Sequence, residues 1–250
     1  LIVKETFKRS PMPYQIRRYR NWVEDKTLVS FSVKIGESDL FIRAEKPFNQ
    51  PAQKSLRTHR QLIEGYLKKD PGFAGSLEPY SVCEDAPEII RGMSAASFSA
   101  GVGPMAAVAG AVAEYVGKDL LKFSPELIVE NGGDIFIATK RIKKIGIFAG
   151  NSPYTEKLAL EIPAGTWGVC TSSGTVGPSL SFGQADAAVV VCNSAILADA
   201  WATRLGNMIK TANDIERTLE FVKDKPKIKG VVLILGEKIG VWGNLKLVKT

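Results

Sequence analysis

The 250-residue chain contains one histidine, His59, so no histidine-rich metal motif and no repeated imidazole pattern exists in it. Its three cysteines, Cys83, Cys170 and Cys192, are odd in number and widely spaced. That excludes a dense disulfide framework and a CxxC-type zinc site, and it predicts reduced, buried thiols in a reducing compartment. Long apolar runs are also missing. The most hydrophobic segments, GVVLILG (230–236) and AAVVVC (187–192), have the length of strands and fall far short of the roughly 20 residues of a membrane helix. No apolar leader core or lipid-attachment pattern is present in the given sequence, which starts at Leu1, and a cytoplasmic protein is expected. Neither a Walker GK[ST] segment nor a GxGxxG fingerprint occurs, and no fixed-period repeat is found.

What is present is a hydrophobic fraction of 45%, enough for a sizeable core, together with a net charge of +7. The charge is uneven. Residues 1–60 carry 13 Lys and Arg against 6 Asp and Glu, whereas the rest of the chain is balanced. KRSPMPYQIRRYR (8–20) interleaves arginines with Tyr14 and Tyr19, in the manner of a nucleic-acid patch. No nucleic-acid module accompanies it, so a solvated edge strand, or attraction of an anionic nucleotide, is the preferred reading.

TLVSFSVKIGESDLFIRA (27–44) alternates apolar positions about a GESD turn and predicts a β-hairpin. PFNQPAQK (47–54) reads as a loop, 55–72 as a helix, and APEIIRGM as a short helix. Pro104 is placed to open a helix running to about Tyr115. Strands are predicted at ELIVE, DIFIAT, KIGIFA, KLALEI, WGVCT and AAVVVC, helices at 196–207 and about 213–223, and a final hairpin at VVLILGEKIGVWG followed by LKLV. There is no regular βαβ rhythm. The expectation is one α+β domain, a largely antiparallel sheet with packed helices, comprising an N-terminal portion of about 1–93 and a site-bearing portion of about 94–250.

Four segments can carry chemistry. SAASFSAGVGPMAAVAGAVAEY (94–115) leads a small-residue turn into a helix start, which suits an anion or simply close packing. IVENGGDIF (128–136) sets Asn131, Gly132, Gly133 and Asp134 between two strands, either as a hairpin turn or as a backbone surface open to a flat ligand. WGVCTSSG (167–174) begins a long loop with Thr171, Ser172, Ser173 and Gly174, but offers no general base. ILADAWATRLGN (196–207) places Asp199 and Thr203 at i and i+4 beside Ala195, Ala202 and Gly206. A carboxylate and a hydroxyl are hard oxygen donors of the kind Mg²⁺ takes; a buried Asp and Thr bonded to backbone would look the same in sequence.

In order and spacing these segments resemble the ApbE family of flavin transferases, which use Mg²⁺ and FAD and place FMN on a threonine of an acceptor protein. The likeness spans about residues 95–210. GAVAEYV (110–116) resembles the family's Gly-Tyr-Ala-Val-Asp helix, VENGGDI its Gly-Gly-Asp strand, GVCTSSG its Ala-Thr-Ser-Gly segment, and ADAWATRLGN its Ala-Asp-Ala-x-Ala-Thr helix. The resemblance implies an ApbE-like fold and Asp199 as the central catalytic residue. Asp199 and Thr203 would be metal ligands with a carbonyl near Ala107, while Asn131, Gly132, Gly133, Asp134 and Thr171, Ser172, Ser173 and Gly174 would border FAD or FMN. It further implies FMN transfer or FAD pyrophosphatase activity; binding of a nucleotide-like ligand without that turnover is the alternative. The chain departs from the family at three points. GTVGPSLSFGQAD holds no histidine where the family has His-x-x-Asp-Pro, Ala109 stands where the family has lysine, and Glu114 stands where it has aspartate.

Overall fold

A computed structural model describes residues 27–175 and 181–250. The basic segment 8–20 lies outside the described residues, as do Gly177 and Ser179 of the long loop. The first hairpin forms as the alternation predicts: β1 (Val29–Ile35) pairs with β2 (Ser38–Ala44), with Phe31 against Ile42 and Val33 against Leu40. α1 (Asn49–Lys69) starts six residues earlier than expected. Its Pro51 falls in the first turn, where the N–H groups have no intrahelical acceptor, so proline is tolerated there and the loop reading of 47–54 is corrected.

The short α2 (Pro71–Gly75) follows. Then α3 (Glu88–Ala100) absorbs SAASFSA into one helix rather than stopping near Met93. After Gly101 the chain makes a 3₁₀ turn, Pro104–Ala107, and only then enters α4 (Val108–Leu120). The strands β3 (Leu127–Asn131), β4 (Asp134–Thr139), β5 (Lys143–Gly146), β6 (Leu158–Ile162), β7 (Gly165–Ser172) and β8 (Ala187–Cys192) come next. Beyond them lie α5 (Ala195–Met208), α6 (Asp214–Val222), β9 (Ile228–Leu235), β10 (Lys238–Gly243) and β11 (Lys246–Lys249).

Eight strands form one antiparallel sheet in the order β1-β2-β3-β4-β7-β8-β9-β10, and β11-β6-β5 form a second. The large sheet is covered on both faces. Leu127, Val129, Phe136, Val190 and Leu233 pack with the helices, while their chain neighbours Ile128, Ile137, Val189 and Val232 pack with Leu160 and Ile162 of the small sheet. This explains why AAVVVC is a continuous apolar run in an antiparallel sheet: a strand with helices on one side and a sheet on the other has no solvated face. Among the described residues no single helix is long and apolar enough to cross a membrane.

The same alternation positions the site. Residues 127, 129 and 131 of β3 share the helix-facing side, and so do 138, 136 and 134 of β4. Asn131 and Asp134, paired across the hairpin end, therefore face the helix layer where α4 begins.

Candidate functional site

The site is assembled around the crossing of α4 and α5. A β-carbon on Gly110 would lie 2.3 Å from the carbonyl oxygen of Ala195 and 2.8 Å from Cβ of Asp199, so the helices approach this closely only because residue 110 is glycine. The Gly110 N–H donates to Asp199 Oδ2 at 2.8 Å. Gly110 is the third residue of α4, whose first-turn donors have no intrahelical acceptor and whose own preceding residue offers no side-chain cap. Asp199 supplies that cap from a different helix. It thereby sets a carboxyl oxygen at the positive end of the α4 dipole, the end that favours negative charge.

A second contact runs in the opposite sense. The Ile196 N–H of α5 donates to Glu114 Oε2 of α4 at 3.2 Å, and Ser194 Oγ donates to the same oxygen at 2.7 Å. Ser194 in turn accepts from the Leu197 N–H and so caps α5. Lys118 pairs with the other Glu114 oxygen at 2.8 Å. Moving four residues forward on α4 and three back on α5 brings the next bond, so the two helices are antiparallel here and stapled by reciprocal carboxylates.

The NGGD segment is a two-residue hairpin turn, with Gly132 at φ 70° and Gly133 at φ 106°, conformations that glycine adopts freely. Glu130 Oε1 accepts from the Gly133 N–H at 3.0 Å. A β-carbon on Gly133 would meet nothing within 4 Å, so the turn's outer surface is open. Its flanks reach the helix start: Asn131 Nδ2 donates to the Ala109 carbonyl at 3.2 Å, and Asp134 Oδ1 accepts from the Thr171 N–H at 3.3 Å. Asn131 and Asp199 thus grip the two ends of a single peptide group of α4, the Ala109 carbonyl and the Gly110 N–H, while Asp134 ties the hairpin end to β7 through Thr171.

Electrostatics at this point are costly. Burial pushes the Asp199 carboxyl well above the usual carboxylate range, and the nearby Asp134 carboxylate pushes it the same way; the N–H groups of Gly110 and Ala109 pull it down. No lysine or arginine is ion-paired with Asp199 among the described residues. The Thr203 hydroxyl, one turn along the same face, has no hydrogen-bond partner among the described residues.

Other predicted positions divide. Ser172 Oγ lies 3.3 Å from where a β-carbon on Gly206 would sit, which puts the end of β7 against the Asp199 face of α5. Ser173 and Gly174 turn away into a tie with the end of the long loop. Gly174 N–H donates to the Ala185 carbonyl at 2.8 Å and Ser173 Oγ lies 3.3 Å from Thr175 Oγ1, while Thr175 Oγ1 donates to Asp186 Oδ1 at 2.9 Å. Asp186 also accepts from the Gly236 N–H at 2.7 Å, so it fastens the loop to the β9–β10 turn. Ala107 is buried in the 3₁₀ turn that packs on α5. His59 is elsewhere: its Nε2 meets Asp119 Oδ2 at 3.0 Å at the far end of α4, about 15 Å along the helix from Ala109.

All three cysteines are free. Cys170 and Cys192 are buried as expected, and burial pushes both thiols up, Cys192 to about 12. Cys83 is exposed, which corrects the expectation for it: the segment 76–87 has no helix or strand to carry it inward. Sequence reasoning also missed the Glu114 staple and the approach of Asp134 to Asp199. The strand parity of residues 131 and 134 was the available signal for the second.

The donor chemistry here fits a hard, oxygen-seeking cation. Asp199, Thr203 and the backbone carbonyls of the Ala107 turn are oxygen donors, and no group of three or more His, Cys, Asp or Glu side chains gathers as a metal centre among the described residues. Such a set leaves much of the coordination to water and ligand oxygens, which is how Mg²⁺ binds.

Comparison with known proteins identifies the fold and the family. The fold is that of flavin transferases. The ApbE flavinyl transferase of Pseudomonas stutzeri superposes with a TM-score of 0.54 at 15% identity, covering 86% of this chain and 94% of that one. The ApbE flavin transferase of Vibrio cholerae gives 0.55 at 12% identity, covering 86% and 96%. At these identities the likeness concerns the fold alone. A family model described as "AbpE bacteria" matches residues 20–225, and the chain belongs to that ApbE-related family. A UPF0280 protein of Methanosarcina barkeri is 43% identical over 78% of this chain and 79% of its own length. Another from Methanocaldococcus jannaschii is 39% identical over 86% and 91%.

Proposed function

We propose that the protein binds FAD in a Mg²⁺-dependent manner at the α4–α5 crossing and transfers its FMN portion to an acceptor protein. The observation that carries this reading is Asp199. It is a buried carboxylate with no cationic partner among the described residues, beside a second carboxylate and a free hydroxyl at i+4, in a fold shared with flavin transferases. Asp199, Thr203 and the Ala107 carbonyl would hold the cation. When bound, Mg²⁺ supplies neutralisation of oxygen charge on the pyrophosphate.

The chain's own residues do the rest. The open Gly132–Gly133 turn and the Thr171–Ser172 end of β7 border the nucleotide without side-chain bulk, and the Asp199–Gly110 bond fixes the helix crossing. In the transfer, an acceptor hydroxyl oxygen forms a bond to the FMN phosphorus, the bond from that phosphorus to the bridging oxygen breaks, and AMP departs with the electron pair. The hydroxyl proton leaves to solvent or phosphate. Positioning and charge complementarity carry such a reaction. Incubation with FAD, Mg²⁺ and a threonine-containing acceptor is expected to release AMP, with FMN becoming covalently attached. Where water takes the acceptor's place, AMP and free FMN appear together.

A second reading is favoured by one specific observation: no histidine reaches the site, since His59 is engaged with Asp119. In that reading the protein holds a flavin nucleotide without cleaving it. FAD binding with no AMP formed under any Mg²⁺ condition would select it.

A further inference from the structure

We propose that Glu114 is a positioning residue for the Asp199 site, acting through α5 rather than touching ligand. This rests on the reading of Asp199 as the residue that holds the cation. The geometry is a closed rectangle of four groups. Asp199 of α5 accepts from a backbone N–H of α4, at Gly110, and Glu114 of α4 accepts from a backbone N–H of α5, at Ile196. Each carboxylate satisfies a first-turn donor of the other helix, where intrahelical acceptors are missing. The two bonds lie one turn apart on both helices, so together they fix the sliding and rotation of α5 against α4, which neither bond fixes alone.

Glu114 is suited to this and to nothing more direct. Its side chain is 6% exposed, and all of its described contacts, to Ser194, Ile196 and Lys118, are structural. Asp199 lies three residues beyond Ile196, on the same helical turn that Glu114 anchors. Releasing that anchor lets α5 shift, and a shift there moves Asp199 and Thr203 together relative to the Ala107 turn. Metal sites tolerate little such displacement, and loss of an orienting partner typically costs 10–100-fold in affinity.

The test is Mn²⁺ binding to the full chain, read by the loss of the free-ion electron paramagnetic resonance signal, with and without FAD. Glu114→Ala is expected to weaken Mn²⁺ binding by at least about tenfold. Glu114→Gln, which keeps an oxygen for the Ile196 N–H, is expected to restore most of it. Glu126→Ala serves as the stability control: it removes a buried carboxylate far from the site and is expected to leave Mn²⁺ affinity unchanged. Should Glu114→Ala fail to fold, the comparison runs between wild type and Ser194→Ala, which removes one of the three Glu114 contacts and is expected to weaken Mn²⁺ binding by a smaller factor. Unchanged affinity in Glu114→Ala, or in Ser194→Ala where that is the variant measured, overturns the positioning role while leaving the Asp199 reading intact. Equal weakening by Glu126→Ala overturns it too, because the effect is then general destabilisation. If wild type binds no Mn²⁺ in either condition, the Asp199 reading itself fails.

Discussion

At Asp199 the demands of function and of stability oppose one another. Burial and the Asp134 carboxylate raise its pKa above the ordinary 3.8. Between the unfolded value and the raised folded one, the native state binds the extra proton, so stability falls as pH rises through that window and stays reduced above it. Asp199→Asn removes this cost and keeps an oxygen for the Gly110 N–H. We therefore expect the metal-free variant to be more resistant to urea than metal-free wild type at pH 7, with the two converging toward pH 4. Gly110 tests the same spot by volume. Gly110→Ala drives a methyl to within 2.3 Å of a backbone oxygen, which has no flexible end to move aside. A loss of roughly 1–3 kcal/mol is expected on thermal unfolding, with loss of FAD binding in whatever remains folded.

Among the elements, most strands and helices were legible because their apolar spacing is strong, and the exceptions have physical causes. α1 begins early because proline is harmless in a first helical turn. α3 runs on through SAASFSA because small residues fit its buried side against α5, a tertiary preference that weak helix propensity does not announce. The candidate site was legible as segments but not as contacts: the motif residues Asp199 and Gly110 stand out in sequence, yet their hydrogen bond spans 89 positions. The β3–β4 pair carries a test of its own. Glu126, buried at the start of this pair, accepts from the Lys140 N–H at 2.7 Å and meets Arg141 at 3.2 Å. Burial pulls its pKa up, but these two donors outweigh it and hold the carboxyl below the ordinary 4.5. Its stabilisation is therefore full above pH 4.5 and lost as pH falls through the lower folded value. Glu126→Ala should cost about 2 kcal/mol at pH 7, and the difference from wild type should shrink in acid.

Across the whole molecule, one large sheet is sandwiched between a helix layer and a small sheet, and the candidate site lies where one end of that sheet meets the α4–α5 crossing. This arrangement separates duties. The face toward the small sheet is apolar and structural, whereas the helix-facing side ends in Asn131, Asp134 and Ser172, the polar groups that border the crossing, with Thr171 reaching them through its backbone N–H to Asp134. The layering could be anticipated from β8, whose six apolar residues need cover on both faces. The three-stranded sheet that covers one of them could not, because β11 joins β6 from the far end of the chain.

Metal dependence of flavin nucleotide binding through Asp199 is the property on which the proposed function turns. Calorimetric titration of FAD into the full chain, with Mg²⁺ and then with EDTA, for wild type and Asp199→Asn, measures this. Binding by wild type in Mg²⁺ that is lost with EDTA and lost in the variant is the predicted result. FAD affinity unchanged by both chelation and the substitution would contradict it.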